Sequence, residues 1–164
     1  MAANKKSYLI EFIGTFFLCF HIFCSGTTVD NSMGMICGYM IFIMIAAKVS
    51  GAHFNPGITM GMVVMGYCNA MNFFMYFLMH IMASVAAAGL RTLLLGGGNS
   101  KHGDPFNSND MIVLFIYYAG AQIILTVIYM IIAVNSKAPR AAFCFCVPLA
   151  QLFVSTFSTM PGFV

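Results

Sequence analysis

From Met111 to Val134 the chain carries no charged side chain. A helix of about 20 apolar residues crosses a bilayer core of about 30 Å, so this stretch is long enough to span one. Similar runs cover Tyr8–Val29, broken only by Glu11 and His21, then Met33–Ala47, Phe73–Leu95 and Ala141–Thr159, the last with Pro148 inside it. None shows the apolar–polar alternation of a membrane barrel strand, so helices are expected. Of 164 residues, seven are Lys or Arg and four are Asp or Glu, 7% charged against 61% hydrophobic. A soluble domain has about 25% charged residues. So few charges cannot cover a water-exposed surface, which excludes a soluble enzyme, a nucleic-acid binder and a disordered chain. The net charge of +3 comes with no basic patch. Lipid is the expected partner and nucleic acid is not.

One apolar stretch is too short to span. Ile58–Tyr67 makes roughly 15 Å of helix, half of a bilayer core. It follows the polar break Val49–Gly57 and precedes a second break, Cys68–Asn72. A re-entrant half-helix is expected there. Asp30-Asn31-Ser32 reads as a turn, Gly96–Asp110 as a polar outer loop and Asn135–Arg140 as a short basic loop. The expected architecture is an all-α membrane protein with five full transmembrane helices and one half-helix. Residues 1–95 supply three spans and the half-helix, 96–110 the loop, and 111–164 the last two spans. Lys5, Lys6, Lys48, Lys137 and Arg140 then share one side and Arg91 and Lys101 the other. The excess of basic residues puts the N-terminus on the cytoplasmic side.

The two parts look related. Glu11 and Thr15 stand four apart on one helical face, as do Gln122 and Thr126 in the fourth span. The same offset carries Gly51 onto Gly162. Three spans separate the two pairs, so they run in opposite directions. This is the plan of an inverted repeat, which puts a transport site at the midplane between the halves. The position matching Asn55 falls just beyond Val164.

The chemistry lies in Ser50-Gly51-Ala52-His53-Phe54-Asn55-Pro56-Gly57. Asn is among the best N-caps, and Pro at the first helical position loses no hydrogen bond. Asn55-Pro56 therefore reads as the start of the half-helix, deep in the membrane. Irregular backbone at that depth survives only where it is buried or lines a cavity. The helix start carries about half a positive charge, and the Asn55 amide has N–H donors beside it. Such a site suits a water or hydroxyl oxygen and repels cations.

SGAHFNPG resembles the first SGAHxNPA signature of the aquaporin family, the major intrinsic proteins, and EFIGTFFL (Glu11–Leu18) is similar to that family's first-helix pattern. The resemblance implies six tilted helices with two half-helices meeting at the midplane, and homotetramers with one pore per subunit. It makes Asn55 the pore asparagine, with Pro56 and Gly57 opening the half-helix and His53 holding the loop and lining the pore. It makes Glu11 a brace for the loop backbone. The family often has glutamine where His80 stands. Gly57 replaces the family's alanine, and Gln122 stands where a second glutamate is expected. The second Asn-Pro-Ala and its arginine do not occur before Val164, so the chain is expected to be truncated before the sixth helix. Selectivity-filter positions fall near Met35 or Cys37 and near Ala150 or Val154. None is aromatic, which favours a wider pore.

The expected function is a passive channel for water or small uncharged solutes such as glycerol. The alternative is a non-conducting, truncated aquaporin-like membrane protein with an assembly or regulatory role. No nucleophile–base pair, metal cluster or phosphate loop stands out, so neither enzyme activity, a metal nor a cofactor is expected. His21 and His80 read as packing residues and His102 as a solvated loop residue. The six cysteines, Cys19, Cys24, Cys37, Cys68, Cys144 and Cys146, contain no CxxC and read as small apolar packing. Gly34/Gly38 and Gly57/Gly61 have the spacing that lets helices approach closely.

Overall fold

Three of the described helix starts in the computed structural model are fixed by a short polar side chain. The structure describes residues 4–25, 29–96, 120 and 123–132. Asn4 opens α1 (Lys5–Ser25) by accepting from the Ser7 amide at 3.1 Å, while its own N–H donates to Ser7 Oγ. Asn55 opens α3 (Pro56–Val64), and Asn69 opens α4 (Ala70–Leu95) by accepting from the Asn72 amide at 2.8 Å. These are reciprocal or single N-caps that satisfy amides no helix can.

The second helix corrects one expectation. α2 covers Val29–Ala46 and takes in Asp30-Asn31-Ser32, which the sequence suggested was a turn. Asp, Asn and Ser favour the first turn of a helix as well as a turn, and an acid there complements the helix dipole. The first span accordingly ends at Ser25, short of the expected Val29. A fifth helix, α5, runs Ile123–Ile132 inside the expected fourth span. The expected outer loop beyond Gly96 and the last span, Ala141–Thr159, lie outside the described residues.

α1 and α4 are long and apolar enough to cross a membrane. α3, nine residues long, reaches only roughly 14 Å. It also ends earlier than its apolar run suggested. Gly66 adopts φ 78°, the Gly66 amide donates to Val63 O, and the Tyr67 amide donates to Met62 O. This pair of bonds around a left-handed glycine stops the helix inside an apolar sequence.

α1 packs against α4 and α2, and α3 against α4. The polarity of the bundle is inverted. Ser7, Glu11, Thr15, His53, Thr59, Asn72 and His80 are buried, while Met44, Val85, Leu93 and Ile123 are exposed. An apolar outside around a polar seam suits lipid as the surrounding solvent. The buried apolar cluster, Tyr39, Ile43, Ala46, Ala52, Phe54, Ile58, Leu125 and Tyr129, gathers α2, α3 and α5 around the segment between α2 and α3.

The glycine pair of α3 lets α5 approach. A Cβ at Gly61 would lie 2.7 Å from Met130 Sδ and 2.8 Å from Thr126 Cγ2. A Cβ at Gly57 would lie 3.3 Å from Thr126 Oγ1. Gly34 faces the His21 ring, and a Cβ at Gly38 would meet nothing within 4 Å. Gly61→Val should therefore push α5 off α3 and cost about 1–3 kcal/mol. Gly38→Ala should stay within about 0.5 kcal/mol. Denaturant-induced loss of helical circular dichroism in detergent checks this; equal midpoints for the two variants would contradict the packing.

Candidate functional site: the braced loop before the half-helix

Between α2 and α3 the backbone leaves regular structure. Gly51, Ala52 and Phe54 all adopt positive φ, at 97°, 54° and 48°. Side chains rarely accept this region, and each non-glycine residue held there costs of order 1–3 kcal/mol. Something must hold the segment, and its partners come from several elements.

Glu11 supplies the central contact. The His53 amide donates to Glu11 Oε1 at 3.0 Å and the Phe54 amide to Glu11 Oε2 at 2.7 Å. His80 Nε2 lies 3.0 Å from the same Oε2. Both side chains are buried, Glu11 completely and His80 to within 3%. A carboxylate only accepts, so Nε2 of His80 carries the hydrogen in this contact.

The carbonyls of the segment are bound in turn. Val49 O accepts from Ser7 Oγ at 2.8 Å, Ser50 O from the Tyr76 hydroxyl at 2.9 Å, and Gly51 O from the Tyr129 hydroxyl at 2.5 Å. The Ala52 amide donates to Ser50 Oγ at 3.1 Å. Thus α1, α4 and α5 each hold this short stretch of backbone. The Phe54 ring packs near Tyr39 and Phe42, and it fills the space over Gly14, where a Cβ would overlap it.

The loop delivers Asn55 to the start of α3. Asn55 has extended backbone, φ −151° and ψ 128°, and its Oδ1 accepts from the Gly57 amide at 2.7 Å. That bond turns the amide's NH2 end away from the helix start. Thr59 Oγ1 donates to Asn55 O at 3.1 Å and lies 3.1 Å from His53 Nδ1. With the hydroxyl hydrogen given to the carbonyl, His53 donates from Nδ1 and its Nε2 is the acceptor. Asn55 and Gly57 are half-buried and Pro56 is exposed, whereas His53 is buried between the Tyr76 and Tyr129 rings.

The structure therefore gathers Glu11, His53, Asn55, Pro56 and Gly57. The other candidates are placed apart or not at all. On α2, Met35 is half-buried and Cys37 exposed; Tyr39, Ile43 and Ala46 pack on the loop instead. Gln122, Ala150 and Val154 lie outside the described residues. Sequence reasoning missed Tyr76, Tyr129 and the place of His80 beside Glu11. Tyr76 and His80 stand four apart on one face of an apolar helix, the same signal that singled out Glu11 and Thr15.

The two oxygens of Glu11 are both acceptors for adjacent amides, which a carboxamide cannot imitate. Glu11→Gln should turn an NH2 toward one amide donor and cost about 3 kcal/mol. Tyr129→Phe, which removes one neutral hydrogen bond, should cost about 1 kcal/mol. Reversible unfolding in mixed micelles measures both, and an E11Q variant no less stable than Y129F would contradict the brace.

The family model for "Major intrinsic protein" matches residues 1–160. Aquaporin TIP2-1 of Arabidopsis thaliana is 29% identical over 110 residues, 58% of this chain and 44% of that protein. Aquaporin NIP1-2 of the same plant is 38% identical over 73 residues, 40% of this chain and 24% of its own length. Aquaporin Z of Brucella melitensis is 27% identical over 155 residues, 84% of this chain and 67% of that protein. The matched segment thus spans less than half of the two plant proteins. A match over nearly the whole chain, together with a polar seam inside an apolar helical bundle, makes this an integral membrane protein that belongs to the major intrinsic protein family.

Proposed function

We propose that the protein is a passive transmembrane channel for water or small uncharged solutes such as glycerol. The observation that carries this reading is the pinned Asn55 at the start of a half-length helix. The helix N-terminus and the amide's N–H groups favour an electron-rich oxygen and disfavour a cation. A water or alcohol passing the site exchanges one hydrogen-bond partner for another, and no bond is made or broken covalently. The names of the relatives, aquaporins from a plant and a bacterium, support the same reading.

On this account the loop does not conduct by moving. Its carbonyls are held by Ser7, Tyr76 and Tyr129, so that Asn55 keeps one orientation. Pre-organised donors lower the cost of stripping a solute of its bulk hydration. The filter positions suggested by the sequence, Met35 or Cys37 and Ala150 or Val154, are non-aromatic, which favours a wider passage that admits glycerol as well as water. In this reading the working form is a homotetramer with one pore per subunit, and the excess of Lys and Arg on one side of the expected spans supports a cytoplasmic N-terminus.

Asn55→Asp tests the chemistry cleanly. Asp caps a helix as well as Asn does, but it offers only acceptors. Proteoliposomes holding the wild-type chain should shrink faster than empty vesicles in stopped-flow osmotic assays with water and with glycerol. The N55D variant, with the same helical content, should lose about tenfold in permeability, roughly the 1.4 kcal/mol of one hydrogen bond. A wild-type chain no faster than empty vesicles would overturn the channel reading. An N55D variant as fast as wild type would remove Asn55 from it.

A further inference from the structure

His80 is read from the sequence as packing, yet its Nε2 lies 3.0 Å from Glu11 Oε2, with both side chains buried in the seam. The carboxylate already accepts from two adjacent amides, His53 on Oε1 and Phe54 on Oε2. Both bonds come from adjacent residues of the same loop, and the terminal torsion of a glutamate is soft. A third donor from α4, on the far element, fixes the plane of the carboxylate. α4 also reaches the loop directly, through the Tyr76 hydroxyl on Ser50 O one turn earlier. The His80 ring lies beside the Tyr76 ring, centroid to centroid 6.3 Å, and one turn on, Ser84 Oγ lies 3.3 Å from Cys19 Sγ, tying α4 to α1.

The other ring nitrogen shows that the ring is placed for Glu11. His80 Nδ1 is buried and has no hydrogen-bond partner among the described residues. A histidine that merely filled a gap in an apolar helix would be replaceable by an apolar side chain. Burying an imidazole with one nitrogen unpaired is unfavourable, and the bond to the carboxylate is what offsets it.

We propose that His80 is a positioning residue: through its Nε2–H bond to Glu11 it orients the carboxylate that holds the His53 and Phe54 amides, and so sets the orientation of Asn55. The effect on conduction rests on the channel reading above; the effect on the amides does not. The two roles open to His80 rank the variants oppositely. If the ring only packs, His80→Leu, close in volume and apolar, should be at least as good as His80→Gln. If the donor matters, H80Q should keep the brace and H80L should lose it.

Hydrogen exchange of the full-length chain in lipid nanodiscs, read at the His53 and Phe54 amides, decides between them. H80L is expected to speed exchange there about tenfold, and H80Q to stay near wild type. His80→Asn, a methylene shorter and out of reach of Oε2, is expected to behave like H80L and stands in for it should the leucine variant fail to fold. Exchange in H80L or H80N within about twofold of wild type, or H80Q as fast as either, would overturn the proposal. Osmotic permeability of the same variants in vesicles should follow the same order. A wild-type chain without permeability would end the channel reading alone, because the ranking at His53 and Phe54 would still stand or fall by itself.

Discussion

A carboxylate inside a membrane-embedded bundle survives only when donors surround it, and Glu11 has donors on both oxygens. Placing such a charge at mid-bilayer costs about 2.5–3.5 kcal/mol by insertion measures. The His53 and Phe54 amides are charge-assisted donors worth about 1.5–3 kcal/mol each, and His80 adds another. The same two amides belong to a segment that would not hold its own shape. Ala52 and Phe54 sit at positive φ on either side of His53. The buried charge and the strained loop thus offset each other: each is costly alone, and the contact between them stabilises both.

From that contact the rest follows by short steps. The loop is pinned at its amides by α1 and at its carbonyls by α1, α4 and α5. It therefore delivers Asn55 in the extended conformation an N-cap requires, and Pro56 begins α3 without wasting a donor. Gly57 and Gly61 keep α3 smooth on the face where Thr126 and Met130 of α5 approach. The result is a helix start held within a bundle whose outer face is apolar. A dipole end and an amide in that setting act in a low dielectric, where they are stronger than they would be in water.

Much of this was legible in the chain, for physical reasons that can be named. The scarcity of charge excluded a soluble fold, and Asn55-Pro56 marked a helix start because both residues have strong positional preferences. Glu11 stood out because it interrupts an apolar run and shares a helical face with Thr15. What was not legible is the identity of its partners. Two of them are backbone amides, which have no residue type to read, and the third lies on a helix far along the chain. The end of α3 was hidden because Gly66 stops it inside an apolar run through backbone conformation alone. Asp30-Asn31-Ser32 fits a turn and a first helical turn equally well, and the structure chose the helix. The spacing of Gly57 and Gly61 suggested a close contact but could not name α5 as its partner.

Glu11 is the single glutamate in the sequence, so glutamate labelled with carbon-13 in its side-chain carboxyl reports on that one group. Isotope-edited infrared spectroscopy of the labelled protein in lipid at neutral pH tests the central claim most directly. Accepting hydrogen bonds at both oxygens predicts the antisymmetric stretch of an ionised carboxylate, shifted by the label, and its perturbation in H80L but not in Y129F. A labelled band at the position of a protonated carboxyl group would contradict the account, because a protonated Glu11 would donate to His80 Nε2 instead of accepting from it, and the loop amides would lose the charge on their acceptor.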